Sequence, residues 1–289
     1  MNNIGDRLIE CLFKTEAIRV SPANSPFWYT SGKIGPYYIN THFLYGSESK
    51  ANDLLKVIDS VKEDKQNCSA VISDLVLKNY REDMIYRTSI DTLLEAVSNT
   101  VPENSYEYVS GGERRDWFFS LAVSSVLKKP HITIYKDMNA FVYQNGKSEK
   151  MNTLDGAGIL HVADLITSAS SYERAWIPVI RKASGNMLYS WVIIDRMEGG
   201  RELLERSGVE SHSLVNIDIN TFKAAYERNY INMEQYRMVE KYIENPDTFM
   251  KDFFLNNPDF IRNALESGEK TAQRARLCIE SGFCPTNYT

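Results

Sequence analysis

The sequence predicts an α/β protein with a central, mostly parallel sheet, helices on both faces of the sheet and a helical extension at the C-terminus. Two observations support this fold class. Apolar segments of strand length alternate with amphipathic segments of helix length through the middle of the chain, as expected of repeated strand–helix units. After Asp218 the strand patterns end and helix-favouring segments follow. We therefore expect one domain at residues 1–217 and a C-terminal helical extension at residues 218–289.

The individual elements follow from local patterns. Asn-Pro pairs begin at residues 245 and 257, and each places an N-cap residue before a proline in the first helical turn, which predicts two short helices. Pro178 is expected to kink or end the helix that begins at Ser170, because proline has no N–H to donate. The predicted strands are residues 71–77, 106–109, 131–135, 159–162 and 188–194. The other predicted helices are residues 51–61, 83–97, 117–128 and much of 220–244.

The composition argues against several classes of function. The net charge of −5 and the pI of about 5.5 give no support for nucleic-acid binding. No charged-then-apolar leader and no apolar run of membrane-spanning length is visible, so we expect a cytoplasmic protein without a membrane partner. The four cysteines lack Cys-x-x-Cys spacing and are expected to be free thiols. The four histidines have no mutual spacing typical of metal ligands, so no protein metal site is predicted.

Residues 159–172 read as a buried strand that ends in an acid and is followed by a hydroxyl-rich turn. Ser170 and Glu173 have the spacing of a capping box, which predicts a helix start. The N–H groups of a first helical turn lack partners and favour an anion such as phosphate. Asp164 then lies near the carboxyl end of the strand, where open α/β sheets bind ligands. An ordinary strand followed by a capped helix would give the same pattern.

This segment resembles the phosphoribosyl pyrophosphate signature of the type I phosphoribosyltransferases. The resemblance implies that Asp164 binds the ribose hydroxyls and that the following turn binds the 5-phosphate. Two residues depart from the family pattern. Ala163 stands where the family has a first acid, and Ala169 stands where it has a glycine, which puts a Cβ close to the expected phosphate. The turn residues of the predicted phosphoribosyl pyrophosphate site are Thr167, Ser168, Ala169, Ser170 and Ser171.

Residues 191–214 carry a second and more specific resemblance. A strand ends in Asp-Arg-Met-Glu-Gly-Gly, and a further extended segment contains His-Ser-Leu. This order of motifs is similar to that of the orotate phosphoribosyltransferases. The resemblance implies that Arg196 reaches the carboxylate of a pyrimidine, a task suited to a planar guanidinium that can donate two parallel hydrogen bonds. A surface turn formed by Asp195 and Arg196 is the alternative.

The N-terminal segment at residues 27–40 resembles the hood of the same family, which we expect to cover about residues 1–45. It contains Ser-Gly-Lys-Ile-Gly-Pro-Tyr-Tyr-Ile. The resemblance implies that Lys33, Tyr37 and Tyr38 bind the base. A tyrosine-rich hairpin with a Gly-Pro turn is the alternative.

The loop at residues 110–116 is predicted to bind pyrophosphate. Its two glycines would let the backbone approach a ligand, and Arg114 and Arg115 bring positive charge to the end of a strand. The equivalent loop of type I phosphoribosyltransferases has this role.

The mobile catalytic loop of the family is the least preserved part. Lys136 occupies the lysine of the family's Arg-Lys pair, but Asn139 and Phe141 stand at the positions of the loop lysine and histidine. The resemblance implies Asp164 and Lys136 as catalytic residues. It also implies a homodimer, because in the family the loop lysine can come from a neighbouring subunit.

Together these motifs imply a type I phosphoribosyltransferase fold. The activity implied is transfer of ribose 5-phosphate from phosphoribosyl pyrophosphate to orotate or a related carboxylated pyrimidine. Mg²⁺ would enter bound to the substrate, bridging the pyrophosphate and the ribose hydroxyls. The altered loop leaves two other readings open. One is a catalytically impaired relative that senses a nucleotide or phosphoribosyl ligand, and the other is a transferase that uses another base.

Overall fold

The chain divides into two compact units. The computed structural model describes residues 3–22 and 24–284, with side chains from residue 7 onward. The first unit, here called the sheet unit, combines Met1–Ala17 with Asn40–Ile217. The second, here called the helical unit, combines Ile18–Ile39 with Asp218–Thr289. The C-terminal helices from Asp218 onward lie in the helical unit. Residues 18–39 of the predicted hood, however, belong with the C-terminal helices rather than with the sheet.

The sheet unit contains a seven-stranded sheet in the order β11-β10-β9-β5-β6-β7-β8. Strands β5, β6, β9, β10 and β11 are parallel, and β7 and β8 extend the sheet as an antiparallel hairpin. The mixed α/β fold class with a mostly parallel sheet is thus confirmed. The strand bounds are β5 Tyr108–Gly112, β6 His131–Ile134, β7 Ala140–Gln144, β8 Lys147–Lys150, β9 Gly158–Ile166, β10 Asn186–Asp195 and β11 Glu210–Asn216.

Helices of the sheet unit cover the sheet and bury an apolar core. Helix α5 packs on β5, β6 and β9, and α6 packs on β10. The buried cluster includes Ile132, Ile159, Val192 and Leu204. The helices are α1 Asn3–Lys14, α2 Glu48–Val61, α3 Cys68–Glu82, α4 Met84–Thr100, α5 Trp117–Leu127, α6 Ile177–Lys182 and α7 Gly200–Arg206. Short 3-10 helices span Thr41–Tyr45 and Glu103–Ser105.

The predicted strand at residues 71–77 is wrong, because this segment lies inside helix α3. Its buried side chains include Ile72, Val76 and Asn79, which recur every three or four residues. That spacing is the period of one helix face, whereas a strand would bury alternate residues. The helical period is not visible within residues 71–77 alone, because most of these residues are apolar.

The helix after β9 begins at residue 170 as predicted, but no side-chain cap forms at its start. A π-helical turn spans Tyr172–Trp176, and α6 then continues to Lys182. Pro178 therefore neither ends the helix early nor lies in its regular interior. The π-helical turn before Pro178 has a different hydrogen-bond pattern from a regular α-helix. The N–H that Pro178 lacks is therefore not needed at this point.

The helical unit joins four short strands to five C-terminal helices. Trp28 stacks on Phe260 with ring centroids 5.5 Å apart, and Arg274 donates to the Trp28 carbonyl at 2.8 Å. Gln235 donates to the carbonyl of Val20 at 3.1 Å. These contacts explain why the segment at residues 18–39 groups with the C-terminal helices. The elements are β1 Ile18–Val20, β2 Phe27–Trp28, β3 Ile34–Gly35, β4 Tyr37–Ile39, α8 Ile219–Glu227, α9 Met233–Glu244, α10 Pro246–Asn256, α11 Asp259–Leu265 and α12 Glu269–Glu280.

Of the two predicted asparagine caps, one forms. The Asn245 side chain accepts from the Thr248 N–H at 2.9 Å and caps α10. The Asn257 side chain instead donates to the Phe253 carbonyl at 2.9 Å and so satisfies the end of α10. The four cysteines are all free thiols, as expected. Within residues 3–22 and 24–284, no helix is both long enough and apolar enough to cross a membrane.

Candidate functional site

The residues predicted to bind a phosphoribosyl group lie along one edge of the sheet unit. Asp164 lies two residues before the end of β9, which runs on to Ile166 because it pairs with β10 as far as Asp195. The loop after β5 and the turns after β9 and β10 leave the same edge, since parallel strands end together. The sheet therefore brings segments far apart in sequence to one place.

Asp164 lies beside a second carboxylate that the sequence motifs did not reveal. Asp116, at the start of α5, is 3% exposed. One of its oxygens accepts the N–H of Asp164 at 3.0 Å, and the other accepts the N–H of Gly112 at 3.0 Å. We call Asp116 and Asp164 the carboxyl pair. No spacing rule links two acids 48 residues apart, so only the fold reveals them.

The environment of the carboxyl pair favours its neutral form. Burial raises the pKa of Asp116 to about 7, opposed by the N–H groups of Asp164 and Gly112 and by the charge of Arg115. Burial, and next the charge of Asp116, raise the pKa of Asp164 well above its usual range. His161 lies 3.8 Å from Asp116 and bonds to the Ser110 hydroxyl. Burial lowers the His161 pKa to about 3, so the ring is neutral and does not compensate the acids.

The 167–171 turn contains a residue in the left-handed backbone conformation, and that residue is Ala169 rather than a glycine. Ala169 has a φ of +57°, a conformation that favours glycine. Its side chain is 4% exposed and belongs to the apolar core cluster. The methyl group of Ala169 therefore packs inside the protein. The Glu173 N–H bonds to the Ala169 carbonyl at 3.1 Å, so the N–H groups between these two residues precede the first helical bond.

Arg196 follows β10 directly beside this turn. Its backbone N–H donates to the carbonyl of Ile166 at 3.0 Å. Gly200 at the start of α7 lies so close to the Thr167 carbonyl that a Cβ would collide with it. The guanidinium of Arg196 is 3.0 Å from the Glu198 carboxylate. This ion pair is partly exposed, so it holds the side chain only weakly and leaves it exchangeable for a ligand carboxylate.

The two arginines of the β5–α5 loop have different surroundings. Arg114 forms an ion pair with Asp59 of α2. Glu113 accepts the backbone N–H of Lys136 at 3.0 Å and lies 3.6 Å from Lys62. Arg115 is exposed, and its positive charge lowers the pKa of both members of the carboxyl pair. Arg115 is therefore the arginine of this loop whose charge reaches the candidate site.

The two loop glycines serve internal packing, which corrects their predicted role in ligand approach. Gly111 and Gly112 are the last residues of β5. A Cβ on Gly111 would collide with the Ser120 hydroxyl, and one on Gly112 would collide with the Trp176 indole. Trp176 in turn stacks on His161 with centroids 4.8 Å apart. The glycines thus make room for side chains of the protein itself.

The position of the family's mobile loop is taken by an ordered hairpin. Lys136 is exposed on the turn between β6 and β7. The Asn139 carbonyl accepts from Tyr135 at 2.9 Å, and Phe141 packs edge-on against the Tyr135 ring at 6.0 Å. The two replaced positions therefore hold the hairpin together.

The three predicted hood residues lie in the helical unit. Lys33 forms an ion pair with Asp247 at 3.0 Å. Tyr37 is 8% exposed and packs against Phe222 with centroids 5.0 Å apart, so its ring belongs to the core of the helical unit and its contact with a base stays a prediction. Tyr38 is half-buried and packs edge-on against two other rings of the hood segment.

Two curated proteins illustrate what this chain is similar to in sequence. An orotate phosphoribosyltransferase of Methanococcus maripaludis is 26% identical over 181 residues, covering 59% of this chain and 93% of the relative. One of Sulfolobus acidocaldarius is 23% identical over 218 residues, covering 75% of this chain and 88% of the relative. No protein-family model matches the chain.

Solved structures show the same fold. The crystal structure of orotate phosphoribosyltransferase from Francisella tularensis has a TM-score of 0.51 at 13% identity, covering 82% of this chain and 96% of that one. UMP synthase of Leishmania donovani has a TM-score of 0.52 at 15% identity, covering 83% of this chain, which spans 41% of that longer chain. The protein thus has the type I phosphoribosyltransferase fold and is similar, at low identity, to the orotate phosphoribosyltransferases.

Proposed function

We propose that this protein transfers ribose 5-phosphate from phosphoribosyl pyrophosphate to orotate or a related carboxylated pyrimidine. The observation that carries the proposal is the convergence of Asp164, the 167–171 turn and Arg196 at one edge of the sheet. The Arg196 N–H bonds to the last residue of β9, and Asp164 lies two residues before that point. The relatives named orotate phosphoribosyltransferase support the same assignment.

Each part of the site would bind one part of the donor substrate. The half-buried Asp164 carboxylate would accept hydrogen bonds from the ribose hydroxyls. The N–H groups and hydroxyls of the 167–171 turn would bind the 5-phosphate, because the first helical turn has donors without partners. Arg115 would bind the pyrophosphate, while Arg114 is held by Asp59. Both arginines carry permanent charge, and that of Arg115 is among the largest influences on the pKa values of the carboxyl pair.

Arg196 would bind the carboxylate of the base. Its guanidinium already pairs with a carboxylate, that of Glu198, and a substrate carboxylate could take the same planar donors. The roles of Lys33 and Tyr38 toward the base stay predictions from the resemblance.

Mg²⁺ would arrive bound to the phosphoribosyl pyrophosphate substrate. The ion prefers oxygen ligands and keeps few from the protein. The donor set fits this mode, since Asp164 can hold the ribose hydroxyls and Arg115 the pyrophosphate oxygens. The ion would supply neutralisation of the pyrophosphate charge.

The reaction requires no covalent nucleophile from the protein. Binding would align the base with the ribose carbon, and fixed positive charge would stabilise the departing pyrophosphate. Lys136 is the lysine of the altered loop that could add to this charge. We expect turnover to be slow, because Asn139 and Phe141 build a hairpin instead of a closing loop. The comparisons give no support to the sensor alternative. A cytoplasmic homodimer remains part of the proposal, by resemblance.

Calorimetric titration of two variants tests the assignment. Asp164→Asn should weaken binding of Mg²⁺–phosphoribosyl pyrophosphate about tenfold, the equivalent of one charge-assisted hydrogen bond, and leave orotate binding unchanged. Arg196→Ala should weaken orotate binding by about tenfold or more and leave the donor substrate unaffected. Arg114→Gln is the matched control for Arg115→Gln, which alone should weaken pyrophosphate binding. Unchanged affinities in Asp164→Asn and Arg196→Ala would refute the proposed site.

A further inference from the structure

Position 163, where the family has its first acid, cannot contribute to ligand binding in this chain. Ala163 is fully buried and lies in the apolar core cluster. Asp164 is thus left without a neighbouring acid on its own strand. On its other side, β9 pairs with β5 only as far as His161, so the Asp164 N–H beyond that point needs a support other than the β5 backbone.

Asp116 provides such a support from a different strand–helix loop. Its two oxygens bridge the backbone N–H of Asp164 and that of Gly112, both at 3.0 Å. The residue is 3% exposed and so is shielded from water. A carboxyl group can accept in either protonation state, and its hydrogen bonds strengthen when it is ionised. The bridge therefore ties the end of β5 to the position of Asp164.

We propose that Asp116 is a positioning residue for phosphoribosyl recognition: it supplies from the β5–α5 loop the second carboxylate that β9 lacks at position 163, and it holds Asp164 where the ribose hydroxyls can reach it. The inference rests on the proposed function, because it names the residue that prepares the same site. Asp116 acts through Asp164 and does not itself touch the ligand.

The groups around Asp116 predict how the affinity for the phosphoribosyl group depends on pH. Asp164 and His161 face it from β9, Arg115 from its own loop and Tyr172 from the helix after β9. The pKa of Asp116 is raised to about 7 by burial. Two backbone N–H groups are best satisfied by the ionised carboxylate. Affinity for the phosphoribosyl group should therefore rise with pH through neutrality in the native protein.

The test compares Asp116→Asn with Asp164→Asn and Asp83→Asn by calorimetry, using Mg²⁺–phosphoribosyl pyrophosphate and, separately, orotate as probes. Asp83 is a matched control, since its carboxylate also accepts a backbone N–H, that of Tyr86 at 3.0 Å, at the start of α4. Asp116→Asn keeps the shape of the side chain but presents an N–H₂ group to one of the two donors. Thermal unfolding verifies that each variant is folded.

We expect Asp116→Asn to weaken phosphoribosyl pyrophosphate binding about tenfold, as for one buried hydrogen bond lost. The rise of affinity with pH should move to lower pH in this variant, because the Asp116 charge no longer raises the pKa of Asp164, whereas orotate affinity and the Asp83→Asn control should stay at the native value. Weakening by Asp164→Asn but not by Asp116→Asn would overturn the positioning role and leave the proposed function intact. Failure of the native protein to bind phosphoribosyl pyrophosphate would overturn both. Equal loss of both ligands in Asp116→Asn would show a merely structural role and also overturn the inference.

Discussion

Replacing Gly112 by alanine tests whether this glycine serves packing or ligand approach. A Cβ at this position would overlap the five- and six-membered rings of the Trp176 indole. The indole cannot simply rotate away, because it stacks on His161 at 4.8 Å and packs edge-on against Tyr172 at 4.7 Å. Either the ring leaves these partners or the end of β5 moves. We expect Gly112→Ala to destabilise the sheet unit.

The size of the effect follows from two contributions. Overpacking of a well-packed interior by one methyl group costs about 1–3 kcal/mol. Loss of the aromatic contacts of Trp176 adds about 0.5–1.5 kcal/mol. We therefore expect the free energy of unfolding to fall by about 2–4 kcal/mol. A movement of the Gly112 N–H would also weaken its bond to Asp116.

Urea unfolding followed by circular dichroism measures this change. Gly268→Ala is the control, since a Cβ there meets nothing within 4 Å and φ is not left-handed; because Gly268 is the N-cap residue of α12, it should lower stability by at most about 1 kcal/mol. The double variant with Trp176→Ala should recover the cost of the added methyl group, because the colliding ring is gone. A loss below about 0.5 kcal/mol in Gly112→Ala, or no recovery in the double variant, would refute the packing explanation.

Two further predictions concern buried polar groups of the sheet unit. Tyr172→Phe removes a hydroxyl that bonds to Ser190 at 2.7 Å, and should lower the free energy of unfolding by about 1–2 kcal/mol in urea titrations; no change would mean that the bond is absent in solution. His42, His131 and His161 have pKa values lowered to about 3, first by burial. Their stabilising effect is complete above about pH 6.5 and is lost as the pH falls, since the unfolded chain takes up the protons. Each histidine changes stability by about 1.4 kcal/mol per pH unit, and the carboxyl pair, with raised pKa values, acts in the opposite direction. Asp195, whose pKa burial also raises, acts with the carboxyl pair, so one histidine is isolated by a variant. From about pH 6 to about pH 4 the native protein should lose more stability in urea than His131→Gln; equal losses would contradict the assignment of a buried neutral ring at His131.

Local patterns predicted the parts of the site that depend on consecutive residues. The order of strand, acid and hydroxyl-rich turn placed Asp164 beside the start of a helix, because these elements are encoded within 14 residues. The same holds for the turn with Arg196. Local reading failed at residues 71–77, where one apolar run fits both a strand and a buried helix face.

Features that depend on distant contacts were not predictable. The hydrogen bond between Asp116 and Asp164 joins residues 48 positions apart. The sequence around either residue does not indicate that the other lies nearby. The grouping of the hood segment with the C-terminal helices depends on contacts such as that of Gln235 with Val20, 215 positions apart. The buried position of Tyr37 follows from the same packing. Sequence periodicity carries no information about such pairs.

The ordered hairpin at residues 140–150 has a consequence for the reaction. A mobile loop that closes over substrates excludes water and brings charge to the leaving group. Phe141 is instead packed against Tyr135, and β7 pairs with β6 along its length. A closing movement there would break strand pairing. Slow turnover with intact binding is the behaviour we expect.

The most direct test of the account is pyrophosphate release from phosphoribosyl pyrophosphate by the purified protein, with Mg²⁺ and orotate, measured against the Asp164→Asn and Arg196→Ala variants. We predict orotate-dependent release that is slow in the native protein and lost in both variants. Tight binding of both substrates without any pyrophosphate release over hours would contradict the proposed transferase function.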